Sequence, residues 1–428
     1  MNSGEIMYGW AKELYPIHRS LTGKGVRETL GYVQKILPNL EIHSVKSNTA
    51  AFDWKVPQEW EITEAYIENE NKERIIDLED NNLHVVSYSC SVDKWLHLDE
   101  LQNHLHSLPN QPDAIPYITS YYTKNWGFCM THSQRMKLSE GKYHVVVKSR
   151  LFDGQLNFGE IIIPGVEDKE VMLATYICHP AMGNNETSGI VVTMQLAKWL
   201  LETKRRYTYR ILFIPETIGS ITYLSINNNL KRLKDKVIAG FQVTCVGDNN
   251  SVSYLKSKYD HSLPDKVVKY YLSTNDIPHK AFSFLERGSD ERQWSSPGVD
   301  LPFVSLMRSK YLEYPEYHTS LDNINYISAL GLEGGYTNIK ECISILEANK
   351  VFKSLIICEP QLGSRGLYPT VSTLSTKSLV RDMTNFLTYC DGTNDVIDIS
   401  QIINVNFEDC IVIAEKLLEE QIIIEVHD

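Results

Sequence analysis

The spacing of hydrophobic and polar positions changes period several times along the chain. From about residue 6 to residue 37 the apolar positions recur at helical spacing, with a break at Leu21-Thr-Gly-Lys-Gly25. Residues 41–46 alternate apolar and polar and predict a strand. Between about 51 and 148 short strand-like pieces (64–68, 84–88, 115–119 and 143–147) are separated by Asn, Asp, Pro and Gly, which predicts a small β-rich module. From Gly159 onward strands (160–164, 171–178, 209–214, 237–244, 302–306) alternate with helices (187–204, 221–234, 262–275, 328–348), the pattern of an α/β sheet covered on both faces. After residues 360–366 the texture changes again. Helices over 378–389 and 407–420, a short apolar piece at 399–403 and a terminal strand at 421–425 suggest a winged-helix module. The expected domains are therefore 1–48 with 150–358, an inserted 49–149, and 359–428.

Candidate chemistry concentrates where strands end. The run from Val171 to Pro180 is a buried-strand pattern that ends in His179, and a polar turn, Gly183-Asn-Asn-Glu-Thr-Ser-Gly189, follows. Thr187 or Ser188 is placed to cap the helix that begins near Ile190. Open α/β sheets bind ligands at the carboxyl ends of their strands, and His is the commonest metal ligand. A single His at such a place is more often an ordinary structural residue than a ligand, so its company matters. Phe213 to Ser220 carries Glu216 from a strand into a Gly-Ser turn, either as a general base or as an acid at a helix start. Val243 to Asp248 ends another strand on a carboxylate. Arg287-Gly-Ser-Asp-Glu-Arg292 is a charged turn whose two arginines suit a carboxylate substituent, with Asp290 between them; a surface ion-pair cluster fits equally. Glu316 to Asn323 offers His318 as a ligand and Asp322 as a partner for a ligating His. In the β-rich module Tyr122 and Trp126 are either lid or core, and His132 reads as a structural His.

Together these segments resemble the zinc-dependent aminopeptidases of the bacterial leucyl-aminopeptidase type. There a strand-end His, a bridging Asp in a turn that ends in Ser-Gly, a Glu-Glu pair, a strand-end Asp and a His-Thr-x-x-Asp motif build a two-metal site. His179, Asn185, Glu216 and His318-Thr-Ser-Leu-Asp322 fall in the matching places. A closer likeness, nearly end to end, is to bacterial polysaccharide-biosynthesis proteins with an aminopeptidase-like domain. It rests on Cys178-His-Pro, Pro215-Glu-Thr-Ile-Gly-Ser220, Arg287 to Gln293 and Glu316 to Asn323. The resemblance implies a zinc-exopeptidase-like mixed sheet, a nested β domain and a C-terminal winged helix. It also implies zinc, with Glu216 activating a water. This chain departs from the pattern at three carboxylates: Asn185 replaces the bridging Asp, Thr217 the second Glu, and Thr244 or Asp248 stands for the strand-end Asp. Two cations about 3.5–4 Å apart need bridging negative charge, so the expectation is one zinc per chain. Its ligands would be His179, Asp248 and His318, joined by Asn185 or Glu186, with Asp322 behind them and Arg287, Asp290 and Arg292 around the substrate.

Composition narrows the partners. A chain of 428 residues, 43% hydrophobic and 22% charged, is an ordinary globular sequence of two or three domains. The net charge of −12 disfavours a polyanionic partner. From Arg365 to Asp428 four basic residues face eleven acidic ones, which disfavours DNA for the winged-helix segment in particular. The eight cysteines show no CxxC pair, no run is long enough to span a membrane, and the first residues carry no signal pattern, so a cytoplasmic chain with reduced thiols is expected. Three functions fit: a metal-dependent amide hydrolase, a hydrolase of an aminoacyl or N-acyl sugar in polysaccharide biosynthesis, or a degenerate peptidase fold that binds a ligand or partner. The substrate would be a small peptide or an aminoacyl or sugar conjugate, with no nucleic acid and no membrane. Self-association, or a protein partner at the C-terminal domain, is also expected.

Overall fold

In the computed structural model, residues 2–202, 204–367 and 374–426 are described. The chain divides into two compact units, residues 1–268 with 272–340, and 269–271 with 341–428.

The first unit is organised by an eight-stranded mixed sheet. Its strands in chain order are β1 (Glu41–Lys46), β2 (Gln155–Ile163), β3 (Glu170–Tyr176), β4 (Thr208–Ile214), β5 (Val237–Gln242), β6 (Ser253–Leu255), β7 (Lys280–Phe282) and β8 (Phe303–Met307). Across the sheet the order is β1-β2-β4-β3-β5-β8-β6-β7. The central four, β4-β3-β5-β8, run parallel. All seven residues of β3 are buried. Successive side chains point to opposite faces, so both faces at the centre are covered. This is why the sequence shows an unbroken apolar run here instead of an alternation. β6 and β7, three residues each, lack the length to show a period and are invisible in the pattern.

Parallel register sets the site. β3 pairs with β4 from Glu170–Thr208 to Tyr176–Ile214, and with β5 at Val171–Ala239 and beyond. His179, Glu216 and Thr244 follow within three residues of the ends of these strands and so emerge at one edge. The helix Gly189–Leu201 starts against the neighbouring strand end: a Cβ at Gly189 would lie 2.6 Å from the Val243 carbonyl and 2.7 Å from Thr175 Oγ1. Only glycine permits that approach.

The β-rich segment folds as a four-stranded antiparallel sheet of Glu59–Asn69, Arg74–Asp77, Val92–His97 and Lys142–Phe152. Its own apolar core includes Ala65, Leu96, Phe128 and Val145. Trp126 belongs to this core, stacked on His104 with ring centroids 3.6 Å apart. The stretches 84–88 and 115–119 are not sheet strands; they form a 3₁₀ turn at Asn82–His84 and isolated bridges.

The second unit holds a three-stranded antiparallel sheet with helices Leu374–Thr388, Val396–Ile403 and Phe407–Glu419. Val351–Ser354, which the sequence pattern leaves in the preceding domain, is its middle strand, flanked by Asp391–Asp395 and Ile423–Val426. The apolar piece at 399–403 lies inside a helix, and the expected boundary at 359 therefore falls too late. Among the described residues no helix is long and apolar enough to cross a membrane. All eight cysteines are free; six are buried and Cys358 is exposed.

One ion-pair network ties β2, β3 and β4. Arg210, 2% exposed, donates to Glu170 at 2.7 and 2.9 Å and also to Glu160. Breaking a buried pair by removing one partner costs about 3–5 kcal/mol. Arg210→Met leaves the Glu170 carboxylate buried without its cation. It should lower unfolding stability by that order in denaturant titration; a loss below about 1 kcal/mol would contradict the assignment.

Candidate active site

His179 sits three residues beyond β3 in a loop held by a buried arginine. Arg19, wholly buried, donates Nε to the His179 carbonyl (2.8 Å), Nη1 to the Leu14 carbonyl (2.6 Å) and Nη2 to Thr187 Oγ1 (3.2 Å). Glu186, 1% exposed, faces the same loop: its Oε2 lies 3.6 Å from His179 Nδ1 and accepts no hydrogen bond. Burial pushes the Glu186 carboxyl well above its usual range while the Arg19 charge pulls it down. His179 is driven well below the ordinary imidazole value by burial, then by His318 and Arg19, so its ring is neutral.

His318 approaches from the far segment. Its ring centroid lies 5.3 Å from that of His179, and its Nε2 is 3.2 Å from Asn185 Oδ1. Burial lowers it to about 4. Tyr317 stacks on it at 3.9 Å, and Tyr117 wedges against both imidazoles at 5.3 and 5.2 Å. The Tyr117 N–H donates to the His318 carbonyl at 2.9 Å, which attaches residues 115–121 to the site.

The polar turn is irregular. Asn185 has φ −103° and ψ 62° inside Gly183–Ser188. Neither Thr187 nor Ser188 caps the helix as the sequence suggests: their hydroxyls donate back to the carbonyls of Met182 (2.7 Å) and Asn184 (2.6 Å). The N–H groups of Asn184 and Asn185 instead donate to the Asp322 carboxylate at 2.6 and 2.9 Å, and Tyr314 adds its hydroxyl at 3.0 Å. Asp322 thus braces the turn and is not hydrogen-bonded to a His. Burial raises it to about 6 against those three donors. Asn185 Nδ2 donates to the Tyr176 hydroxyl, which lies 2.7 Å from Thr244 Oγ1.

Glu216 follows β4. Its Oε2 is 3.6 Å from His179 Nε2, and its N–H donates to Cys178 Sγ at 3.2 Å. Burial pushes the Cys178 thiol well up, so it stays protonated. The next residue, Thr217, has φ +63° and ψ −77°, and the Ile218 N–H closes on the Glu216 carbonyl at 2.8 Å. That is a strained γ-turn of a kind found where function over-determines the backbone. Asp290 accepts the Thr217 N–H at 2.7 Å, and Arg292 Nη2 donates to Thr217 Oγ1 at 2.5 Å. Burial, reinforced by the charge of Asp290, raises Glu216. Burial also raises Asp290 against the hydrogen bonds of Thr217 and Ser220. Such a pair titrates jointly.

These residues open on a cavity of about 410 Å³ walled by Tyr117, Tyr121, His179, Glu216, Arg292 and His318. Tyr122 and Trp54 stand at its edge, packed on each other at 5.7 Å. Trp126 is core and takes no part. Asp248, expected as a metal ligand, is fully buried elsewhere. Its Oδ2 accepts from Asn184 Nδ2 (3.0 Å) and the Ser309 N–H (2.8 Å), and its Oδ1 from Ser309 Oγ and the Asn250 N–H (both 2.8 Å). Four donors use its lone pairs; Thr244, not Asp248, joins the Asn185 network. Arg287 lies outside the cavity, exposed over the Phe284 ring. Arg19, Tyr117 and Tyr121 carry no such signal in the sequence. Only the polar break after the first helix hinted at Arg19, and nothing in the alternation marked the two tyrosines.

The residues present do not fit the zinc centre that the resemblance implies. The positions that carry carboxylate ligands there hold neutral Asn185, Thr217 and Thr244, each hydrogen-bonded to a neighbour. Among the described residues no group of three His, Cys, Asp or Glu side chains is arranged to hold a metal ion.

The class of fold is clear from solved structures. A zinc aminopeptidase from Bacillus subtilis matches with a TM-score of 0.59 at 11% identity, over 80% of this chain and 94% of that one. A crystal structure of a Clostridium acetobutylicum protein named as a peptidase matches with a TM-score of 0.91 at 42% identity, over 99% and 96%. A protein of the same organism, named for polysaccharide biosynthesis and an aminopeptidase-like domain, is 45% identical over 400 residues, 93% of this chain and 91% of its own length. The chain belongs to the family described as a domain of unknown function (DUF4910), matched over residues 8–349, and residues 350–425 match a winged helix-turn-helix family.

The titration has a direct consequence. A carboxyl whose folded pKa is raised stabilises the fold below its unfolded value and loses that contribution as pH rises through the folded value. Glu216→Gln should therefore gain stability relative to the parent between pH 5 and pH 9 in paired denaturant titrations. A pH-independent difference would refute the raised carboxyl.

Proposed function

We propose that the chain is a peptidase-fold protein that binds an aminoacyl or N-acyl sugar of polysaccharide biosynthesis in the Glu216 cavity, without metal-dependent hydrolysis. One observation carries this reading. The positions that would hold zinc carry Asn185, Thr217 and Thr244, while Glu216, His179, His318 and Arg292 line the adjoining cavity. Replacing carboxylates by neutral groups removes the negative charge that two cations require. What is left suits a polar ligand with an apolar edge. A protonated Glu216 donates a hydrogen bond, neutral His179 and His318 accept or donate one, and Tyr117 and Tyr121 offer ring faces. The sugar class is supported by the name of the relative from Clostridium acetobutylicum.

A second reading, proton transfer by Glu216 on the bound ligand, is favoured by its raised pKa and its closeness to His179. For the C-terminal unit we propose protein packing. Eleven acidic residues against four basic ones from Arg365 onward oppose a phosphate backbone.

Protein purified without chelator should contain well below one zinc per chain and bind N-acetylated or aminoacylated amino sugars in calorimetry. The triple variant Asn185→Asp, Thr217→Glu, Thr244→Asp should gain zinc. Stoichiometric zinc in the parent together with amide hydrolysis would overturn the reading.

A further inference from the structure

A second pocket adjoins the first through one residue. Arg292 lines both the Glu216 cavity and a separate pocket of about 410 Å³. The second pocket is basic: Lys256, Lys258, Arg287 and Arg292 line it, with Asp260 as its one acidic lining residue. Lys256 is paired with Asp260 at 2.8 Å, and Lys258 with Asp300 just outside the lining. The two arginines are different. Among the described residues neither makes an ion pair. Arg287 donates only to the Phe284 carbonyl at 3.2 Å and lies over that ring. Arg292 spends Nη2 on Thr217, and its Nε is buried with no hydrogen-bond partner. A buried guanidinium donor without an acceptor is costly, and arginine forks match planar or tetrahedral oxyanions. The pocket's serines offer little to a ligand. Ser257, Ser295 and Ser296 each donate their hydroxyl within the fold, and Ser283 Oγ accepts the Leu285 N–H, so the cations, with the Ser283 hydroxyl, are left as the recognising groups.

We propose that this pocket takes the anionic group of the ligand, a phosphoryl or carboxylate substituent on the sugar, with Arg292 joining it to the acyl or aminoacyl end in the Glu216 cavity. This rests on the sugar-binding reading above and names the substrate class within it: a sugar phosphate or an acidic sugar, not a neutral one. The chain is acidic overall, so a local basic pocket against that field serves to select an anion and not to attract polyanions generally.

The test is calorimetric titration of the full chain with glucose 1-phosphate, glucuronate, glucose, N-acetylglucosamine and inorganic phosphate. The first two should bind at least about tenfold tighter than glucose, and the affinity should fall with salt. Which of the two is tighter decides between phosphoryl and carboxylate. Arg287→Ala should weaken the anionic sugars about tenfold, the loss expected for one charge-assisted hydrogen bond, and Arg287→Lys should recover part of it. Arg287 is exposed, so neither variant threatens the fold. Anionic sugars that bind no better than glucose, with Arg287→Ala silent, would overturn the inference, even if N-acetylglucosamine binding keeps the cavity reading alive. Phosphate binding that depends on Arg287 without any sugar binding would instead keep the anion pocket and sink the cavity reading.

Discussion

The loop that carries His179 depends on one buried cation. Arg19 satisfies three acceptors that belong to three separate pieces of chain: the end of the first helix, the loop after β3 and the irregular turn before the next helix. Burial disfavours the Arg19 charge, and the nearby Glu186 carboxyl offsets part of that cost. The pair stands behind the site and not in it. It sets the height of His179 above the sheet edge and the path of the turn that places Asn185. The Asp322 carboxylate performs the matching service from the other side of that turn. Everything between these two anchors, including the neutral imidazole of His179, follows from where they hold the backbone.

Within that frame, the neutral side chains Asn185, Thr217 and Thr244 are held by hydrogen bonding. The Tyr176 hydroxyl joins Asn185 to Thr244, and the strained Thr217 is held by a carboxylate beneath and a guanidinium beside it. A carboxylate kept at these positions without a cation would be a buried unpaired charge, which costs several kcal/mol. The acids that remain, Glu216 and Asp290, avoid that cost by holding protons more tightly. The edge therefore presents raised carboxyls and neutral, hydrogen-bonded side chains beside two neutral imidazoles.

Much of this was legible in the sequence. The central strands and the long helices follow from apolar runs, and Cys178-His-Pro, Glu216 and His318 were recognisable because strand ends are where such folds keep their chemistry. The failures have physical causes. β6 and β7 are too short to show a period, and Val351–Ser354 gains its identity only from pairing with strands some 40 and 70 residues later. Asp248 looks like a ligand because a carboxylate at a strand end is indistinguishable, in one dimension, from one that ties down Ser309 and Asn184. Arg19 gave almost no signal, since a buried arginine is defined by its surroundings. Tyr117 falls inside the strand-like piece 115–119 and Tyr121 just beyond it, because alternation cannot reveal a wall built across to a distant segment.

The stitching of that wall bears on the order of assembly. Residues 115–117 hydrogen-bond to residues 318–320, with the Ile115 N–H on Ser320 Oγ and the Ser320 N–H on the Ile115 carbonyl, across a separation of 205 residues. Chains emerge from the ribosome amino end first, and distant contacts close late. The nascent protein must then expose Tyr117, His179 and Glu216 for the whole time it takes to synthesise the intervening length. The aromatic face that later lines the cavity is, during translation, an unpaired sticky edge, and the ring of His318 arrives as the piece that closes it.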